Sequence, residues 1–213
     1  MANEAWLEEL TAGLKPVRPR RPGIEALALT ALCALELTLW LASGHARAGL
    51  MHVAGTTPTF WWKAASAGAL AVIGAATAIA SFDPTRSPRR GLVALAVVLA
   101  VSVVVGGLFA SQAGLANLWG RLHWTDGLNC VARIVLLSAP PMAAFGLLLR
   151  RGAPTDLNGT ALAASVAAAA WAACVFFFTC PHDDPIYILA WYPIACGVSA
   201  VAARLVLPLA GRW

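Results

Sequence analysis

Cys180, His182, Asp183 and Asp184 stand within five residues of one another and interrupt an otherwise apolar stretch. The run Val175-Phe176-Phe177-Phe178-Thr179 precedes them, and a second apolar run begins at Ile186. A thiol, an imidazole and two carboxylates are the groups used for metal ligation and thiol redox chemistry. Of the five cysteines, Cys33, Cys174 and Cys196 lie inside apolar runs, where a cysteine acts as a small hydrophobe. Cys130 and Cys180 stand at the ends of apolar runs. Two chemistries are open to this pair. One is a disulfide, which requires Cα atoms within about 7 Å. The other is a divalent metal such as zinc, with four ligands drawn from Cys130, Cys180, His182 and either His123 or Asp183. No CxxC or HxxxH spacing accompanies them, and no residue is assigned a catalytic role.

These groups are positioned by apolar helices. The chain is 60% hydrophobic and 12% charged, with a mean hydropathy of +0.73, which places it in the integral-membrane class. A membrane-crossing α-helix needs about 20 apolar residues. Six windows meet that length: Ile24–Ser43, Phe60–Ser81, Gly91–Ser111, Cys130–Leu149, Leu157–Thr179 and Ile186–Leu207. The expected fold is therefore all-α and polytopic, with a tail at 1–23 and a six-helix domain at 24–213. The first window lacks a cleavage site of the A-x-A type and should persist as an anchor.

Basic residues set the expected orientation. Lys15, Arg18, Arg20 and Arg21 precede span one; Arg86, Arg89 and Arg90 follow span two; Arg150 and Arg151 follow span four; Arg204 and Arg212 lie near the carboxyl end. The intervening connections are poor in them, so the positive-inside rule makes both termini cytoplasmic. The net charge of +5 is then a topology signal. Its residues are dispersed and carry no base-reading motif, so no direct nucleic-acid contact is expected. Cys130, Cys180, all four histidines, Asp126, Asp183 and Asp184 fall on or near the outer side. The short turn Arg150-Arg151-Gly152-Ala153-Pro154 makes spans four and five an antiparallel hairpin, which brings Cys130 and Cys180 near each other.

The connection Gln112–Asn129 carries Leu115, Leu118, Trp119, Leu122 and Trp124 at near-helical spacing and suggests an interfacial helix. Glu36 in span one and Arg133 in span four are intramembrane charges, suited to an ion pair or to function. Pro140-Pro141 must break the hydrogen-bond ladder of span four and are a candidate hinge. The small residues of spans two and five allow close backbone approach, hence a tight bundle with room for a homodimer.

In the tail, Asn3–Leu14 reads as one amphipathic helix ended by Lys15-Pro16. Trp6, Leu7, Leu10 and Leu14 share a face, with Glu8 and Glu9 towards the other. The acidic residues disfavour anionic lipid, so a groove on a cytoplasmic protein suits this face better.

Several stretches together resemble the NrsF-like (negative regulator of sigma F) family of membrane anti-sigma factors. They are Leu10-Thr11-Ala12-Gly13-Leu14-Lys15-Pro16-Val17-Arg18, Leu136-Leu137-Ser138-Ala139-Pro140-Pro141, Arg150-Arg151-Gly152-Ala153-Pro154 and Cys180-Pro181-His182-Asp183. Six spans and a cytoplasmic amino terminus agree. The resemblance implies a multi-pass protein of the bacterial inner membrane that sequesters an extracytoplasmic-function sigma factor. It implies release on oxidative or heavy-metal stress sensed by two periplasmic cysteines, matching Cys130 and Cys180. It also implies a sigma contact across Leu10–Arg18. Two other functions compete. A quinone-linked thiol–disulfide oxidoreductase ordinarily needs a second cysteine pair for electron relay. A small transporter ordinarily shows more intramembrane charge and internal repeats.

Overall fold

The computed structural model describes residue 12, residues 20–114 and residues 116–210. Nine α-helices are present among the described residues. They are α1 (Pro22–Trp40), α2 (Leu50–Thr56), α3 (Pro58–Ser81), α4 (Arg89–Gln112), α5 (Leu118–Arg121), α6 (Trp124–Leu137), α7 (Ala139–Leu149), α8 (Leu157–Phe177) and α9 (Pro185–Ala210). Six stretches are long and apolar enough to cross a membrane: Pro22–His45, Pro58–Ser81, Arg89–Gln112, Leu118–Leu149, Leu157–Phe177 and Pro185–Ala203. The all-α, six-span expectation holds.

Local chemistry fixes the ends. Pro22 and Pro58 occupy first-turn positions, where the missing N–H costs nothing. The Asp156 carboxylate caps α8 by accepting from the Gly159 N–H at 2.9 Å. One π-helical turn, Leu41–His45, extends α1 and is kinked at Gly44, whose φ of 80° turns the chain back.

Alanine decides the centre of the bundle. α8 is apolar on all sides, and 78% of its spanning window is buried, against 6% for α1 and 11% for α4. Its short side chains admit neighbours on every face: a Cβ at Gly74 of α3 would lie 3.0 Å from Ala167. α4 instead turns Val93, Val97, Val101, Val104 and Leu108 outward, an exposed apolar stripe at helical spacing. α6 is amphipathic and buries Gly127, Cys130, Ile134 and Leu137 against α8 and α9.

Span four differs from expectation in two ways. Its helix begins upstream at Trp124, so Cys130 lies inside α6 rather than at its start. The expected interfacial helix is reduced to the single turn of α5, capped by Asn117, with Leu115 outside the described residues. The proline break takes the form of a junction at Ser138. Here α6 ends, and Pro140 and Pro141 fall in the first turns of α7, where their missing donors are tolerated.

Candidate functional site

The loop from Phe178 to Asp184 closes one end of the bundle, the end that also carries residues 41–57 and 113–123. Cys180 hangs inward from this loop. Cys130 reaches it from the buried stripe of α6. Both are free thiols, each 1% exposed, and pack in one cluster with Ile134, Tyr187, Trp191 and Tyr192. The two thiols are neighbours within this cluster. The neighbouring Cys130 thiol, opposed by desolvation and aided by the Lys63 charge, lowers the Cys180 pKa to about 6. When protonated, Cys180 donates to the His182 carbonyl at 3.6 Å.

Over the thiols the loop is fastened by cations from three other elements. Arg47 donates to the Cys180 carbonyl and to Asp183 Oδ2, both at 2.7 Å. Lys63, from the second turn of α3, has no exposed side-chain surface; its Nζ meets Asp183 Oδ1 at 3.0 Å and the His182 carbonyl at 3.2 Å. Arg121 grips Asp184 bidentately at 2.7 and 2.9 Å, while Asp184 Oδ1 also accepts from the Ile186 N–H at the start of α9. The Arg47 backbone N–H donates to the Phe178 carbonyl at 2.9 Å, and the Trp40 indole donates to Thr179 at 2.8 Å. A buried lysine is costly unless paired, so the double use of Asp183 is what permits Lys63 there.

His182 sits to one side. Its Nε2 lies 3.0 Å from Asp126 Oδ2, and its ring stacks on His123 and Tyr187 at centroid distances of 4.8 and 4.4 Å. Glycine at 127 makes this packing possible, since a Cβ there would overlap the Trp191 indole, which donates to the Leu122 carbonyl at 2.8 Å.

Of the residues singled out in the sequence, Cys130 and Cys180 therefore come together, with His182, Asp183 and His123 gathered around them. Among the described residues no group of three or more His, Cys, Asp or Glu side chains is arranged to hold a metal. Asp183 is engaged by two cations and His182 by Asp126, which leaves the thiols as the donor pair. The Glu36–Arg133 ion pair does not form among the described residues. Glu36 accepts from the Trp171 indole at 3.0 Å, and Arg133 is exposed on α6. Trp6, Leu7, Leu10, Leu14, Lys15, Pro16 and Arg18 lie outside the described residues.

Sequence reasoning missed Arg47, Lys63 and Arg121 as functional neighbours, because a basic residue near a span end reads as topology. The signal in hindsight is Lys63 itself, a cation inside an apolar span. Tyr187 and Tyr192 were likewise missed as neighbours of the thiols.

At the opposite end, Arg20 bonds Glu25 and lies over the Phe82 ring, 5.1 Å from its centroid. The Phe82 carbonyl accepts from the Ala153 N–H at 3.1 Å, in the turn after α7. The point where the tail leaves the bundle thus touches Phe82 at the end of α3, which in turn bonds the turn after α7.

Residues 10–213 match the family described as negative regulator of sigma F, NrsF. The chain is also 32% identical over 213 residues to the anti-sigma-F factor NrsF of Caulobacter vibrioides (strain NA1000 / CB15N), covering 99% of this chain and 95% of that protein. No solved structure matches it. With a six-span helical bundle, a match along nearly its whole length and this relative, the chain belongs to the NrsF family of negative regulators of a sigma factor.

Proposed function

We propose that this protein holds an extracytoplasmic-function sigma factor at the bacterial inner membrane through its tail, residues 1–23. It releases that factor when Cys130 and Cys180 are joined at the periplasmic end, by oxidative stress or by thiophilic metal ions. The observation that carries this reading is the pair of free thiols buried in one cluster beneath a loop fastened to three other elements.

Joining the sulfurs shortens their separation to the ~2.05 Å of a disulfide. The Cys180 segment cannot follow freely, because Arg47 holds its carbonyl and Asp183 is tied to α1–α2 and α3. The displacement is then shared between the loop and α6, whose junction at Ser138–Pro141 allows a change of angle to α7. The turn after α7 touches Phe82 and, through it, Arg20 at the root of the tail. Oxidation acts as a signal to the extent that it favours one bundle arrangement over the other.

The test is the double substitution Cys130→Ser with Cys180→Ser in cells carrying a reporter for the sigma factor. The expected result is a reporter that stays silent under oxidant while the membrane level of the protein is unchanged. Induction equal to that of the native protein would overturn the reading.

A further inference from the structure

Between α3, α4, α8 and α9 the bundle holds a slot of about 440 Å³. On α4 its wall is formed by Leu92, Ala96, Leu99 and Val103, which share one face and cover about 16 Å of helix at ~1.5 Å per residue. Spread over that length, the volume is a channel about 6 Å across, narrower than the ~10 Å diameter of an α-helix. A helix from a second copy is therefore too wide to enter. Ala96 and Leu99 on α4 and Pro193 and Gly197 on α9 line the slot and are themselves exposed, so it opens along its side between these two helices.

The length of the slot asks for an apolar occupant. The Trp62 indole donates to the Ser102 carbonyl at 3.1 Å, and the Ser102 hydroxyl donates to the Val98 carbonyl at 2.7 Å. The Lys63 side chain and the Tyr192 hydroxyl are enclosed, so neither polar head meets an occupant. Ser66 adds one hydroxyl to walls otherwise made of Leu, Val, Ile and Ala side chains. The one cation in line with the slot is Arg89, three residues before Leu92 and so one turn further along the same face of α4. Arg89 is exposed and belongs to no ion pair among the described residues. An apolar slot close to the ~15 Å depth of one leaflet's hydrocarbon, ending at a guanidinium, has the form of an acyl chain that ends in a phosphate. Beside the slot, α4 exposes Val93, Val97, Val101 and Val104. That face accommodates a second chain, which a phospholipid has and a free fatty acid lacks.

We propose that this slot binds one phospholipid of the cytoplasmic leaflet, with one acyl chain between α4 and α9 and the phosphate paired with Arg89. The proposal rests on the membrane placement in the reading above and not on the thiol switch. Ala67, Ala173, Ile188 and Tyr192 line the slot and also belong to the core cluster that contains Cys130 and Cys180. The bound chain thus completes the packing behind that cluster.

The experiment uses the full chain in nanodiscs of phosphatidylglycerol, a small fraction of which carries a photoreactive diazirine in one acyl chain. After illumination, adducts are mapped by peptide mass spectrometry. Labelling at Leu99 and Cys196, which line the slot, should exceed severalfold that at Leu27, Leu35 and Leu39, which α1 exposes, and should saturate at one lipid per chain. Ala96→Phe and Gly197→Phe fill the slot, and a Cβ at Gly197 meets no atom within 4 Å. Each should remove the excess without lowering the unfolding temperature. Arg89→Gln should reduce the excess about threefold, the order of one exposed ion pair, while Arg89→Lys should keep most of it. Slot labelling no higher than that on α1, or an excess that survives both phenylalanine variants, overturns the assignment. An excess unchanged in Arg89→Gln overturns the phosphate contact. A diazirine palmitate that labels the slot as strongly at equal mole fraction overturns the choice of a phospholipid. If α1 is labelled and the slot is not, this inference fails and the membrane placement stands; if neither is labelled, the placement itself fails. The excess should persist in Cys130→Ser with Cys180→Ser, whose response to oxidant tests the switch alone.

Discussion

At the scale of single residues, the site is an arrangement of charge around two sulfurs. Lys63 and Asp183 are the clearest case, a buried lysine whose charge is met by a carboxylate that Arg47 also holds. Asp183→Ala removes the partner and leaves the ammonium buried. It should lower stability by about 3 kcal/mol, in the range for breaking a buried pair. Adding Lys63→Met to that variant should recover most of the loss, as read by thermal unfolding in detergent; a double variant no better than Asp183→Ala would contradict the pairing. Cys180 carries a second prediction. Its folded pKa of about 6 lies below the ~8.5 of a free thiol. The linked stabilisation is thus fully present above about pH 8.5 and is lost as the pH falls through about 6. Thiolate absorbance at 240 nm should titrate with a midpoint near 6 and disappear in Cys180→Ser. Cys130→Ala should move the midpoint upward, because it removes the largest cause of the shift.

Each helix contributes through what its sequence allows it to touch. α8 occupies the centre because alanine lets neighbours approach on every side, and α4 lies outside because its valines have no such neighbours. α6 and α7 form one span in two pieces. An interior proline costs about 3 kcal/mol in a continuous helix, but one in the first turn costs little. Pro140 and Pro141 occupy the first turns of α7. Pro140→Ala with Pro141→Ala should therefore change stability by no more than about 1 kcal/mol while joining α6 to α7 as one rigid rod. The expected readout is an oxidant-driven release that is reduced while the unfolding temperature barely moves. Full release from this variant would remove the junction from the mechanism.

For the molecule as a whole, the two ends of the bundle carry different groups. One end holds the thiols and the fastened loop, and the other gathers Arg20, Phe82 and Ala153 where the tail departs. Deleting residues 1–23 should abolish co-purification of the sigma factor from solubilised membranes while leaving the bundle folded. Retention of the sigma factor by the truncated protein would move the contact to the loops around Phe82 and Arg150. In the full-length protein, diamide treatment should reduce the same co-purification, and dithiothreitol should restore it.

Much of this was legible in the amino-acid order alone. Six spans follow from hydropathy because burying about 20 apolar residues in a row leaves a chain few alternatives to crossing a bilayer. The nearness of Cys130 and Cys180 follows from the short turn Arg150–Pro154, since a tight hairpin must bring the far ends of its helices together. The stripe Gly127, Cys130, Ile134, Leu137 even marks the buried face of α6, and Arg133 lies off it. What hydropathy does not carry is rotation about each helix axis. Glu36 meets Trp171 rather than Arg133 because the azimuths of three packed helices, and not depth in the membrane, decide which side chains touch. The same holds for Lys63, Arg47 and Arg121: as letters near span ends they signal orientation, and only packing turns them inward onto Asp183 and Asp184. Sequence determined the spans and the thiol pair, because those depend on composition and chain length. Tertiary structure decided the ion-paired loop over the thiols and the cavity behind them, because both depend on how four or more helices rotate to share one interior.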